Sequence, residues 1–175
     1  MANFQPYWEK LKKAEGVVFE NNPKDTAGAT KFGLITDDLH EYNLDENHDG
    51  VIDWKDVRDL TEPDAFKIAK KLYWDFFKAD TINNQSLAEF IVDGAYNMGR
   101  ILIVKYVQQI LGLTVDGQFG PKTLDAVNHA DAKDLFTKLY QKRAARYAGI
   151  IAANPSQKVF EHGWTNRLNS ISFTA

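Results

Sequence analysis

Apolar residues recur at helical spacing along almost the whole chain, and nowhere do strand and helix patterns alternate as a parallel sheet demands. Phe4, Tyr7, Trp8 and Leu11 share one face of a helix over residues 3–14 that ends at Glu15-Gly16. A short helix is expected over 35–43, with a further turn or two at "WKDVRDL". Thr61 and Asp64, with Pro63 between them, mark a capped start for a helix running to about residue 78. Its apolar face includes Phe66, Ile68, Leu72, Phe76 and Phe77. Ser86 and Glu89 repeat that start for a helix carrying Gly94 and Ala95, which are small enough to admit another helix closely. Gly99 should break it before a helix over 100–111. Pro121 opens a helix to about 129, residues 131–152 form the longest one, and Pro155 stops it. The expectation is a mainly α protein. Only residues 17–33, rich in Asn, Asp, Gly and Thr, suit a loop or a small β element.

Several function classes fall away early. The net charge is −3 with no basic tract, so nucleic acid is not an expected partner. There is no Cys, which removes disulfides, thiol catalysis and thiolate metal sites. The four His lack zinc-ligand spacing, and Ser156 and Ser170 lack the glycines of a nucleophile elbow. No apolar stretch reaches the 18 residues of a membrane span, and "MANFQPYWEKLKKAEG" has no signal-peptide pattern.

Catalytic chemistry is concentrated in "EGVVFENNPKDTAGATKFGL", residues 15–34. A glutamate at a helix end beside glycine can reach into a cleft while the chain turns away. Breaking a glycosidic bond needs a proton on the leaving oxygen, and a partly dry carboxyl can carry it. Asp25 and Thr30 follow ten and fifteen residues later, across a loop able to fold back. A carboxylate and a hydroxyl there could hold a water on the opposite face of the sugar, as inverting hydrolysis requires.

That segment resembles the signature of the phage-type N-acetylmuramidases, the glycoside hydrolase 108 group, also described as secretion activators. Glu15 and Gly16 fall on the family's catalytic Glu-Gly. Asn22, Pro23, Asp25, Gly28, Thr30, Lys31 and Gly33 agree with the remainder of that signature, while Val17-Val18 replace the usual Gly-Tyr. "YWDFF" (73–77), "VDGAYNMG" (92–99), "LGLTVDGQFGPKTLDAV" (111–127) and "GWTNRLN" are similar to further family motifs in the same order. The resemblance implies a lysozyme-like helical fold with a small loop or β element near an N-terminal active site. It implies a catalytic region over 1–98 and a peptidoglycan-binding portion over 99–175, packed as one unit. It also implies cleavage of β-1,4 bonds between N-acetylmuramic acid and N-acetylglucosamine, with Glu15 as acid and Asp25 and Thr30 positioning water. The partner is then the peptidoglycan glycan strand, reached from the bacterial cytoplasm through a holin-like pore or another non-classical route. A non-catalytic wall-binding or secretion accessory protein is the alternative.

Tyr73, Asp75, Asp93, Tyr96, Asn97 and Trp164 are candidate substrate contacts. Asp93 and Asn97, four apart, share a helix face, and their competing role is to fix helix packing. No cofactor is expected for catalysis. "DENHDGVIDWKD", 45–56, matches a twelve-residue calcium loop: Asp45, Asn47, Asp49, the Val51 carbonyl, Asp53 and Asp56 as ligands, with Gly50 at the turn. Asp replaces the usual final Glu, so a weak structural calcium site is expected.

Overall fold

The computed structural model describes residues 1–21 and 28–175. Two compact units make up the chain, one of Phe4–Asp75 and one of Met1–Asn3 with Phe76–Ala175.

The first unit begins with α1, Phe4–Glu15, whose Phe4, Tyr7, Trp8 and Leu11 are buried as the spacing requires. The small β element is a three-stranded antiparallel sheet of β1 (Glu20–Asn21), β2 (Ala29–Lys31) and β3 (Leu34–Ile35) in sequence order. Lys31 pairs with Leu34, so Phe32-Gly33 is a two-residue hairpin loop, and both residues have positive φ, 56° and 72°. Such loops ordinarily take Asn-Gly. Phe32 adopts the left-handed region here because its ring is buried and sits 6.0 Å from that of Trp8. Phe4, Phe66 and Trp74 complete an aromatic core with Tyr7 and Trp8.

α2 (Thr36–Tyr42), α3 (Trp54–Asp59) and α4 (Glu62–Ala69) come next along the chain. Thr61 caps α4 as expected, accepting from the Asp64 N–H, but the helix does not run on to 78. It passes into a π turn, Lys70–Trp74, closed by the Asp75 N–H on the Lys70 carbonyl at 2.8 Å.

The second unit is built from longer helices: α5 (Gln85–Met98), α6 (Arg100–Ile110), α7 (Pro121–His129), α8 (Ala132–Ala153) and α9 (Glu161–Asn169), the last preceded by a 3₁₀ helix at Pro155–Phe160. α5 starts earlier than Ser86 implies. Asn84 is its cap, accepting from the Leu87 N–H at 2.9 Å, while Ser86 instead binds the C-terminal Thr174. Gly94 permits the close approach expected of it, since a Cβ there would stand 2.8 Å from Ile103 of α6. Gly99, at φ 93°, separates α5 from α6. Among the described residues no helix is long and apolar enough to cross a membrane.

Candidate active site

Glu15 is the last residue of α1 and half-buried. Gly16, at φ 79°, turns the chain out of the helix with its N–H still on the Lys12 carbonyl at 3.0 Å. A carboxylate at this end opposes the helix dipole, so helix stability does not explain Glu15. Past the turn, Val17 and Val18 are exposed at 48% and 73% and the chain enters β1. Thr30 lies in the central strand, paired on one side with Glu20 and on the other with Ile35, and is half-buried. That register sets Glu20 directly across from Thr30 with both side chains on one face, a third polar group beside the turn that spacing alone does not reveal. Asp25 lies outside the described residues, as do Asn22 and Pro23 of the same motif.

The other candidates divide by unit. In the first, the Tyr73 hydroxyl donates to Asp38 at 2.8 Å, and the other Asp38 oxygen accepts the Ile35 N–H at the start of α2. Asp75 is exposed and held by Lys70 at 2.6 Å. In the second, Asp93 is 2% exposed and ion-paired with Arg143 of α8 at 2.7 Å and Arg167 of α9 at 3.0 Å. The Asn97 carbonyl oxygen accepts from the Tyr147 hydroxyl at 2.6 Å. Trp164 stacks on Tyr147, with centroids 4.8 Å apart and planes within 10°. Asn97 and Trp164 thus meet at one groove, and Tyr96 is half-buried on the same helix as Asn97.

Much of what the motifs carry is packing. In "GWTNRLN" Trp164 stacks on Tyr147, Arg167 pairs with Asp93, and Asn169 accepts from Tyr140 at 3.0 Å, so all three fasten α9 to its neighbours. In "DGQFGPKT" the buried Gln108 donates to Asp116 at 2.6 Å and accepts the Gly117 N–H, while Phe119 packs against Phe77. Sequence reasoning missed Arg143, which is fully buried. Its signal was a place four residues from both Leu139 and Tyr147, on the apolar stripe of α8.

The 45–56 loop turns its oxygens onto its own backbone. Asp45, Asn47, Asp49 and Asp53 accept the N–H groups of Gly50, Asp49, Val51 and Lys55. Asp56 is fully buried and accepts from Glu46, Asn47 and Asp53. Burial works to raise its carboxyl, but those backbone N–H bonds outweigh it and hold the group below the ordinary carboxylate range. Lys55 bridges Asp49 and Asp53, each at 3.2 Å. Among the described residues no three acidic or His side chains converge as a metal cage, although the buried Oδ1 of Asp45 accepts no hydrogen bond.

Two families match the chain: glycosyl hydrolase 108 over residues 8–99, and a predicted peptidoglycan domain over 103–169. The chain belongs to the glycosyl hydrolase 108 family. It is also similar to the solved structure of Brucella abortus SagA, with 27% identity, a TM-score of 0.80, and coverage of 96% of this chain and 90% of that one. No curated protein sequence matches. This glycosyl hydrolase has the mainly helical, lysozyme-like fold with a small sheet next to its N-terminal Glu15 turn. It is a peptidoglycan hydrolase in the broad sense that the two families together define. Charge divides along the same line. Residues 1–99 carry eleven Lys and Arg against nineteen Asp and Glu, whereas residues 100–175 carry ten against five.

Proposed function

We propose that this glycosyl hydrolase is an N-acetylmuramidase that cleaves the β-1,4 bond between N-acetylmuramic acid and N-acetylglucosamine, with Glu15 as general acid. The observation that carries the reading is the Glu15 turn: a half-buried carboxyl where the α1 dipole disfavours it, released by Gly16, in the same unit as the strand bearing Thr30. In the reaction Glu15 delivers its proton to the glycosidic oxygen as the bond to the muramic C1 breaks, and the bonding pair leaves with the N-acetylglucosamine O4. Positive charge develops on C1 and the ring oxygen. A water held by Asp25 and the Thr30 hydroxyl attacks C1 from the opposite face and passes its proton to Asp25, which inverts the anomeric centre. Solvent then restores the proton to Glu15.

The test is Glu15→Gln. The amide keeps the shape and still donates a hydrogen bond, but it has no proton to transfer. The variant should fold by circular dichroism, still bind purified peptidoglycan, and release reducing ends ~10² to 10⁴-fold more slowly. Near-normal turnover would remove Glu15 from the chemistry.

The 45–56 loop is read, as part of the same proposal, as a weak structural calcium loop that ties α2 to α3. Its alternating oxygens and the unpartnered Asp45 Oδ1 support this. Lys55 must release Asp49 and Asp53 for the ion to enter, which places the site at the low-affinity end of such loops.

A further inference from the structure

A groove of about 240 Å³ opens in the second unit between the end of α5, α8 and α9. Met98 and Ile150 give it apolar lining, and the Tyr147–Trp164 stack walls it. Two polar side chains border it, Asn97 and Arg146. Asn97 spends its carbonyl oxygen on Tyr147, so what it offers the groove is its amide N–H₂. Arg146 is exposed, and among the described residues it has no ion-pair partner. Both groups therefore present donors only, and the groove calls for a ligand rich in acceptors. The surplus of basic residues over 100–175 favours an anionic one. At this volume, below the range of sites for drug-sized ligands, the groove suits a single sugar ring or a short peptide stem.

We infer that Asn97, Arg146, Tyr147 and Trp164 form a binding subsite for a carboxylate-bearing N-acetylmuramoyl unit of peptidoglycan. The guanidinium grips the carboxylate, the Asn97 amide donates to an acyl oxygen, and the acyl methyl lies on Met98 and Ile150. Planar two-point capture of a carboxylate is what arginine does better than lysine. The subsite rests on the peptidoglycan reading but not on Glu15, and it selects the muramoyl unit over neutral N-acetylglucosamine. The carboxylate has two sources, the lactyl group of a bare muramic acid and the acids of an attached stem peptide.

The experiment titrates full-length Glu15→Gln protein, which keeps each probe intact, by calorimetry. The probes are the disaccharide N-acetylglucosaminyl-N-acetylmuramic acid, the same disaccharide carrying its stem peptide, and neutral di-N-acetylchitobiose. Adding Arg146→Ala should weaken one or both acidic probes about tenfold, the worth of an exposed charge-assisted bond, and leave chitobiose unchanged. Arg146→Lys should recover only part of the loss. The acidic probe that responds identifies the source of the carboxylate. Acidic probes that bind equally well without Arg146, or that do not bind at all, overturn the subsite. Hydrolysis of whole peptidoglycan by wild type is measured in parallel. Turnover with Arg146-independent binding sinks the subsite alone, and Arg146-dependent binding without turnover sinks the muramidase reading alone.

Discussion

In the Phe4–Asp75 unit the longest helix has 12 residues and the rest is short turns; in the other unit α8 alone runs 22. Seven of the eleven described residues with positive φ fall in the first unit, among them Gly16 and the Phe32-Gly33 pair. The two also satisfy buried acids differently. Asp56 is held by three backbone N–H groups of its own loop, whereas Asp93 is held by two guanidiniums fifty and seventy-four residues away. The first unit spends its backbone on shaping a turn and placing a carboxyl there. The second uses buried charge to fix helices to one another. The first unit thus fixes its buried acid through a tight local loop, and the second through side chains far apart in sequence.

The contrast can be broken at its two acids. Asp93→Ala leaves the fully buried Arg143 without its carboxylate and should cost ~3–5 kcal/mol in denaturant unfolding. A loss below about 1 kcal/mol would mean that the pair does not fasten α5 to α8. Next in size is the chemistry of the first unit. Asp25→Asn should lower turnover by ~10²-fold or more, and Thr30→Ala by less, with little change in wall binding. Equal losses of binding and turnover would make them substrate contacts instead.

Asp56→Ala should cost ~1–3 kcal/mol, because the three N–H groups that it satisfies lose their acceptor inside the protein. Its carboxyl lies below the usual range in the folded state, as do those of Glu62, held by Lys12 and Trp8, and Asp116, held by the Gln118 N–H and Gln108. The unfolded chain therefore binds protons first. This contribution is fully present above the ordinary carboxylate range, about pH 4, and is lost as pH falls through the lower folded values. Chemical denaturation across pH 2–6 should show stability dropping below about pH 4, less steeply in Asp56→Asn, and parallel curves would refute the assignment. The smallest effect is calcium. Millimolar calcium added to chelator-stripped protein should raise the melting temperature slightly, and Asp49→Ala should abolish the rise. No shift up to ~10 mM would leave the loop a hydrogen-bonded turn without metal.

The helices were legible because burial of one face imposes a period that the residues must display. The same reasoning misplaced the start of α5, since Ser86 and Glu89 look like a cap while Asn84 does the capping and Ser86 serves the C-terminal tail. It carried α4 too far, because the apolar run continues through Phe76 and Phe77 while the backbone widens to a π turn at Lys70. The end of α1 at Glu15-Gly16 was legible from the helical spacing before it and the glycine after it. The partners of Asp93 were not, because no local rule connects residue 93 to residues 143 and 167; only tertiary packing does. Arg146 gave no signal at all, since an exposed arginine on a helix looks the same with or without a groove beside it.

Hydrolysis of the muramic acid bond by an acid at Glu15 leaves its record in the new chain ends. Purified peptidoglycan digested by wild type should give reducing N-acetylmuramic acid ends by mass analysis, formed first as the α anomer by proton NMR because water attacks opposite the β bond. Ends that are 1,6-anhydro sugars or reducing N-acetylglucosamine, or walls left uncut, would contradict it.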